Sequence, residues 1–219
     1  MRLAVLASGR GTNLRALLEA ARDGRLASRV VGVFSDRASA PALGVARAFG
    51  VPAQALKPSD FANRVAHDDA LFGQVAAVQP DLIVCAGYMR LISDRAVRRF
   101  QGKMINIHPS LLPAYPGLDT HARVLAAGDA ETGASVHVVT TELDGGPVLA
   151  QSRVPVRDGD DAAALAGRVL GVEHELLVQV VRAIETGMLD PACEPPRWKG
   201  EPLSRPLHPG PRGELEQTA

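Results

Sequence analysis

Two cysteines in 219 residues are too few for a disulfide framework, and no Cys-x-x-Cys pair suggests zinc. Cys85 sits in an apolar run, Leu82-Ile83-Val84-Cys85-Ala86, and reads as a small core residue rather than a nucleophile. The six histidines are scattered, with no pair at helical ligand spacing, which argues against a metal enzyme. Net charge is absent as well, since 24 basic side chains balance 24 acidic ones. That balance argues against a nucleic-acid groove and leaves room for a small local anion site. No apolar run approaches transmembrane length, and the short stretch at Met1–Ala7 is shorter than a signal-peptide core. A soluble, cytoplasmic chain with no metal, membrane or nucleic-acid partner is the expectation. Monomer and homodimer both stay open.

What the sequence does have is a regular alternation of apolar runs and helical stripes. Runs at 3–7, 30–34, 52–56 and 81–86 read as strands, the last apolar enough for a central parallel strand covered on both faces. Helical spacing follows from Leu14, at 41–49, and in a stripe of Phe61, Val65, Phe72, Val75 and Val78. Ser93 starts a short helix, and 120–127 and 160–184 read as helices. Segments 135–139 and 147–156 alternate and would pair antiparallel. The expected fold class is α/β: a doubly wound, mainly parallel sheet of about seven strands, with an antiparallel hairpin late in the chain. Residues 1–190 would form one domain, with halves of about 1–100 and 101–190. From Pro191 to Ala219 the chain is a Pro-rich tail with few apolar residues, whose end is expected to be mobile.

The most informative stretch runs from Met104 to Gly146. Met104-Ile105-Asn106-Ile107-His108 alternates, so Asn106 and His108 project to one face, and Pro109 ends the strand there. Pro109, Pro113, Pro116 and Gly117 stiffen the loop beyond. Asp144 lies in a Gly-rich turn that can bring a carboxylate close. Asn, His and Asp are the parts needed for oxyanion stabilisation and proton transfer. The plainer alternative is a buried Asn and His satisfied by backbone, with Asp144 as a turn former.

Other positions carry two readings each. Ser8-Gly9-Arg10-Gly11, between strand and helix, is a ready anion site, with Thr12 or Asn13 capping or beginning the helix. Leu14 replaces the third glycine of a dinucleotide fingerprint, so that reading is weak. Asp36 suits a ribose contact in a dinucleotide fold, or a turn or cap. The loop Tyr88-Met89-Arg90-Leu91-Ile92 follows a parallel strand, where open α/β sheets bind ligands, or else packs as an ordinary loop. Arg64 and Glu173 read as exposed helix charges, and His121 and His137 as packed histidines. Ser110 has no activating partner in sequence.

Asn-x-His-Pro-Ser-Leu-Leu-Pro at 106–113, Tyr115-Pro116-Gly117, and Leu143-Asp144-Gly145-Gly146-Pro147 resemble the signature of the folate-dependent formyltransferases. The likeness runs from Met1 to about Gly187. It implies the formyltransferase fold, a nucleotide- and phosphate-binding first half, and a folate-binding and catalytic second half. It is closest to members that move a formyl group from 10-formyltetrahydrofolate, as co-substrate, to the amine of glycinamide ribonucleotide in purine synthesis. By that resemblance Asn106, His108 and Asp144 are catalytic. Gly11, Thr12 and Asn13 hold the phosphate, Glu173 bonds the ribose, and His137 lies near the reacting centre. Arg64, Met89, Arg90, Leu91, Ile92, Asn106 and the run Thr140, Thr141, Glu142, Leu143, Asp144 contact the folate. The implied mechanism is direct attack by the amine. Asn106 and His108 donate to the oxyanion, while Asp144 favours a protonated His108 and helps move the proton.

The rival within the family is a formyltetrahydrofolate hydrolase, with water as acceptor. Those enzymes usually carry a regulatory module ahead of the catalytic domain, whereas this chain begins with its first strand. The tRNA-directed members carry an added nucleic-acid-binding domain where only a short tail is expected here. A non-catalytic nucleotide-binding protein is the alternative from another class.

Overall fold

A computed structural model of the chain describes residues 1–210 and 213–217. Its contacts group residues 1–106 with 139–141 in one unit, and 107–138 with the described residues from 142 onward in a second.

The first unit runs β1 (Arg2–Leu6), α1 (Thr12–Arg22), β2 (Arg29–Ser35), α2 (Pro41–Ala48), β3 (Ala53–Ala55), α3 (Arg64–Ala77), β4 (Leu82–Cys85), α4 (Asp94–Arg99) and the first three residues of β5 (Met104–His108), whose last two, Ile107 and His108, are grouped with the second. Strand β1 pairs in parallel with β2 and with β4; β2 pairs with β3, and β4 with β5, also in parallel. Every residue of β4 is buried, which is why its sequence is an unbroken apolar run. Leu6, Phe34, Phe72, Ile83 and Met104 share one core cluster with Cys85. Burial pushes the Cys85 thiol up to about 12, so it packs as an inert small hydrophobe.

Helix α3 differs from the expected stripe. Val65 is 43% exposed, and the buried face consists of His67, Asp68, Leu71, Phe72 and Val75. Apolar spacing alone missed this face because two of its five members are ionisable. Asn63 caps the helix, its side chain accepting from the Ala66 amide at 2.9 Å.

The second unit holds α5 (Thr120–Ala127), β6 (Glu131–Val138), β7 (Val148–Pro155) and α6 (Ala162–Glu185), then five two-residue strands: β8 (Leu189–Asp190), β9 (Arg197–Trp198), β10 (Glu201–Pro202), β11 (His208–Pro209) and β12 (Leu215–Glu216). Strands β6 and β7 pair antiparallel, with the register shifting between Val136 and His137. Strand β6 starts four residues before the expected Ser135, taking in Glu131 and Gly133. Gly133 is needed there for close approach: a Cβ would lie 1.9 Å from the Ser152 carbonyl oxygen. Helix α6 packs on both strands and is capped by Asp161, which accepts from the Ala164 amide at 2.7 Å.

The large sheet has the order β3-β2-β1-β4-β5-β6-β7, the mainly parallel seven-stranded arrangement with a late antiparallel pair that the sequence suggests. The Pro-rich segment is more ordered than its composition implies. Leu207 pairs with β7, its amide donating to the Leu149 carbonyl at 2.9 Å and its carbonyl accepting from the Gln151 amide at 2.8 Å. Trp198, Leu207 and Leu215 are buried. The mobility expected of the very end falls on residues 218–219, outside the described ones. Among the described residues no helix is long and apolar enough to cross a membrane, and no group of three or more His, Cys, Asp or Glu could hold a metal ion.

Candidate active site

The polar centre of the second unit is built around Asp144. Its backbone is left-handed at φ 50°, a conformation an aspartate tolerates better than most residues. The turn therefore rests on the aspartate itself as well as on its glycines. The Gly117 amide donates to Asp144 Oδ2 at 2.9 Å. The same oxygen lies 3.4 Å from His108 Nδ1, and Oδ1 lies 3.5 Å from His137 Nε2. One carboxylate thus faces two imidazoles and one backbone amide.

His108 is buried at the end of β5, where alternation puts it on the same face as Asn106. Its Nε2 lies 2.9 Å from the Tyr115 carbonyl oxygen. A carbonyl can only accept, so Nε2 carries the hydrogen and Nδ1 is the position turned to Asp144. Tyr115 itself is left-handed at φ 57°, the stiff loop beyond Pro109 carrying its carbonyl back to the histidine. Ser110 spends its hydroxyl proton on the Ala114 carbonyl at 2.6 Å, which leaves it no base and no role as nucleophile.

His137 lies next to a register shift between β6 and β7, where Val136 pairs with Ala150 and His137 with Val148. Its Nδ1 donates to the Val138 carbonyl at 3.0 Å. Nothing in the β6 alternation distinguishes this histidine from a packed one, and only the family resemblance pointed to a place near the reacting centre.

The electrostatics of the pair follow from burial and neighbours. Burial is the largest influence on His108 and lowers its pKa; the Tyr115 carbonyl and Asp144 pull it up, while His137 and Arg123 push it down. The balance lies below the ordinary value, with Asp144 acting in the expected direction against the effect of burial. For Asp144, burial is again the largest influence and raises the carboxyl. The His137 and Gly117 bonds, then the charges of His108 and His137, outweigh it, and the net shift is downward. Burial and neighbours thus make the imidazole a weaker base, and the carboxyl a stronger acid, than either would be in water.

The remaining candidates divide between the units. In the first, Gly11 is the N-cap of α1 at φ 77°, where no side chain caps the helix; Thr12 is its first residue and Asn13 is buried. A Cβ on Gly11 would lie 2.7 Å from the Ala42 Cα, so only glycine fits under α2. Asp36 is neither solvent-facing nor a cap: it accepts from the Ser8 hydroxyl at 2.5 Å. Arg64 is exposed at the first turn of α3, and Met89 and Leu91 stand out to solvent beside half-buried Tyr88, Arg90 and Ile92. Thr140 is half-buried and Thr141 exposed. In the second unit Glu142 and Leu143 are exposed, whereas Glu173 is buried on α6, against its reading as one more exposed acid.

A family model described as formyl transferase matches residues 1–181. The phosphoribosylglycinamide formyltransferase of Escherichia coli K12 is 43% identical over 189 residues, covering 86% of this chain and 89% of that one. Its counterpart from Mycobacterium tuberculosis H37Rv is 45% identical over 185 residues, 84% of this chain and 85% of that one. The solved structure of the Coxiella burnetii phosphoribosylglycinamide formyltransferase matches with a TM-score of 0.89 at 39% identity, covering 93% of this chain and 96% of that one. The chain belongs to the formyl transferase family.

Proposed function

We propose that this protein transfers the formyl group of 10-formyltetrahydrofolate to the amine of phosphoribosylglycinamide, a step of purine synthesis. The observation that carries the chemistry is the facing of His108 and Asp144 at 3.4 Å in a chain of this family. His108 has its Nε2 hydrogen engaged with Tyr115, so in the uncharged form its one free position is the Nδ1 lone pair. It therefore enters as a base. As the amine nitrogen bonds to the formyl carbon, the carbonyl electron pair moves to oxygen and Nδ1 takes the amine's proton. Asp144 stabilises the imidazolium that results. Asn106 donates to the developing oxyanion, and His108 becomes a second donor once it holds the proton. The same proton then passes to the folate nitrogen as its bond to the formyl carbon breaks. Transfer is direct, with no covalent enzyme intermediate.

Gly11, Thr12 and Asn13 hold the phosphate at the start of α1, where a helix favours an anion. Glu173, kept buried, takes the ribose hydroxyls. Met89 and Leu91 offer exposed apolar surface suited to a flat heterocycle, with Arg90 and Ile92 beside them. Arg64 faces the glutamate tail, and Thr140 to Asp144 complete the folate contacts. Residues 1–190 act as one catalytic module, with halves of about 1–100 and 101–190. The protein works in the cytoplasm as a monomer or homodimer, without nucleic acid or membrane.

The test is tetrahydrofolate formation by the purified protein, with and without phosphoribosylglycinamide. Product only with the nucleotide is expected. Product with water alone would make the chain a hydrolase, and a folded protein silent in both would contradict the proposal.

A further inference from the structure

The loop after β4 presents Met89 at 56% and Leu91 at 54% exposure. Apolar side chains gain nothing by standing in water, so something other than their own burial must hold the loop in this shape. Hydrogen bonds to two buried anchors do so. At its start the Ser8 amide donates to the Gly87 carbonyl at 2.9 Å, and the Met89 amide donates to Ser8 Oγ at 2.9 Å. Ser8 Oγ in turn donates to Asp36 Oδ1. At its end the Ser93 amide donates to Asp68 Oδ2 at 2.6 Å, a charge-assisted bond.

Asp68 is completely buried, as is its neighbour His67, whose Nδ1 lies 3.2 Å from Asp68 Oδ1. His67 Nε2 donates to the Leu56 carbonyl at 3.0 Å, beyond β3. Three segments, those at Leu56, α3 and Ser93, are thus joined through two ionisable side chains. A buried pair of this kind is a weak source of stability compared with apolar packing, and its best-attested use is to fix one geometry. The two carboxylates also bracket the loop's aromatic residue: burial first, then Asp68 and Asp36, push the Tyr88 hydroxyl upward.

We propose that Asp68 and Ser8 are positioning residues, which hold the Gly87–Ser93 loop open as a preformed apolar seat for the heterocycle of the formylfolate without touching it. The inference rests on the function proposed above. A loop held in its bound shape loses less freedom on binding, so loss of an anchor falls on affinity for that one substrate.

The test varies each substrate in turn for wild type, Asp68→Ala, Asp68→Asn and Ser8→Ala. Asp68→Ala should raise KM for 10-formyltetrahydrofolate by about ten- to a hundredfold, the worth of a bond to a charged group. Its KM for the nucleotide should stay within about twofold. Asp68→Asn keeps an acceptor for the Ser93 amide and should recover most of the affinity. Ser8→Ala removes a single oxygen, so it remains informative if Asp68→Ala does not fold, and it should also raise the formylfolate KM. A fall in kcat with unchanged formylfolate KM in both alanine variants would overturn the inference, since that is the mark of a merely structural role. A wild type without turnover would overturn the function itself, and this inference with it.

Discussion

His108 and Asp144 face each other across 3.4 Å, and the second nitrogen of the imidazole is already engaged with the Tyr115 carbonyl. With the imidazole uncharged, the space between Nδ1 and Oδ2 holds two acceptors and lacks a proton. That arrangement suits a group that must receive one during the reaction.

The pH dependence follows from the same pair. Because the His108 pKa is lowered from 6.5, the acid limb of kcat/KM for the nucleotide should have its midpoint below 6.5. Stability should move in the same sense. Between the ordinary value of 6.5 and the lower folded one, the unfolded chain binds more protons, so stability falls as pH drops through that window. The lowered Asp144 pKa adds a second loss at lower pH, below its ordinary value of 3.8. Initial rates from about pH 4 to 8 check the first, and urea melts carried below pH 3.8 check the second. A tenfold difference in proton affinity between folded and unfolded chains corresponds to about 1.4 kcal/mol.

His137 faces the other oxygen of Asp144 at 3.5 Å. Replacing it with Gln should lower kcat by about tenfold, the order expected of a bond to a charged partner. Losing this partner also removes a charge that pushes the His108 pKa down, so activity should fall off at a higher pH than in the wild type. An unchanged acid limb would place His137 outside the proton path.

Gly11→Ala tests the turn at the start of α1. The added Cβ meets the backbone of Ala42 at a φ of 77°. A left-handed non-glycine residue costs about 1–2 kcal/mol before any clash. The expected result is a lower melting temperature and a raised KM for the nucleotide, with the formylfolate KM little changed.

The Pro-rich segment offers a test of stability alone. Leu207 is fully buried and hydrogen-bonded into β7. Leu207→Ala should cost about 2–5 kcal/mol in denaturant unfolding. A cost near zero would mean that the segment contributes little to the second unit.

Period-2 and period-3.6 patterns made most of this fold legible. The apolar run at Leu82–Cys85 marks a strand covered on both faces, and Asn106 and His108 share a face because they are two apart. What escaped the patterns has physical reasons. His67 and Asp68 are ionisable, so no apolar stripe includes them, although they satisfy each other and two backbone groups in the core. His137 faces Asp144 beside a register shift, which leaves no local composition signal, so only the family resemblance pointed to it. Leu207 and Trp198 lie among prolines that suggest disorder, yet isolated apolar residues suffice when an existing strand accepts them. The lowered proton affinity of His108 was also out of reach, since it depends on how deeply the imidazole is buried.

The most direct test of the central claim is Asp144→Asn, followed by single-turnover formyl transfer with both substrates saturating. Asparagine keeps the size and an acceptor for Gly117 but cannot stabilise an imidazolium as a charge does. Transfer should slow by about a hundred- to ten-thousandfold, the contribution of a positioned acid–base, while both substrates bind nearly as in the wild type. Turnover at the wild-type rate would contradict the account, because the proton would then have another path.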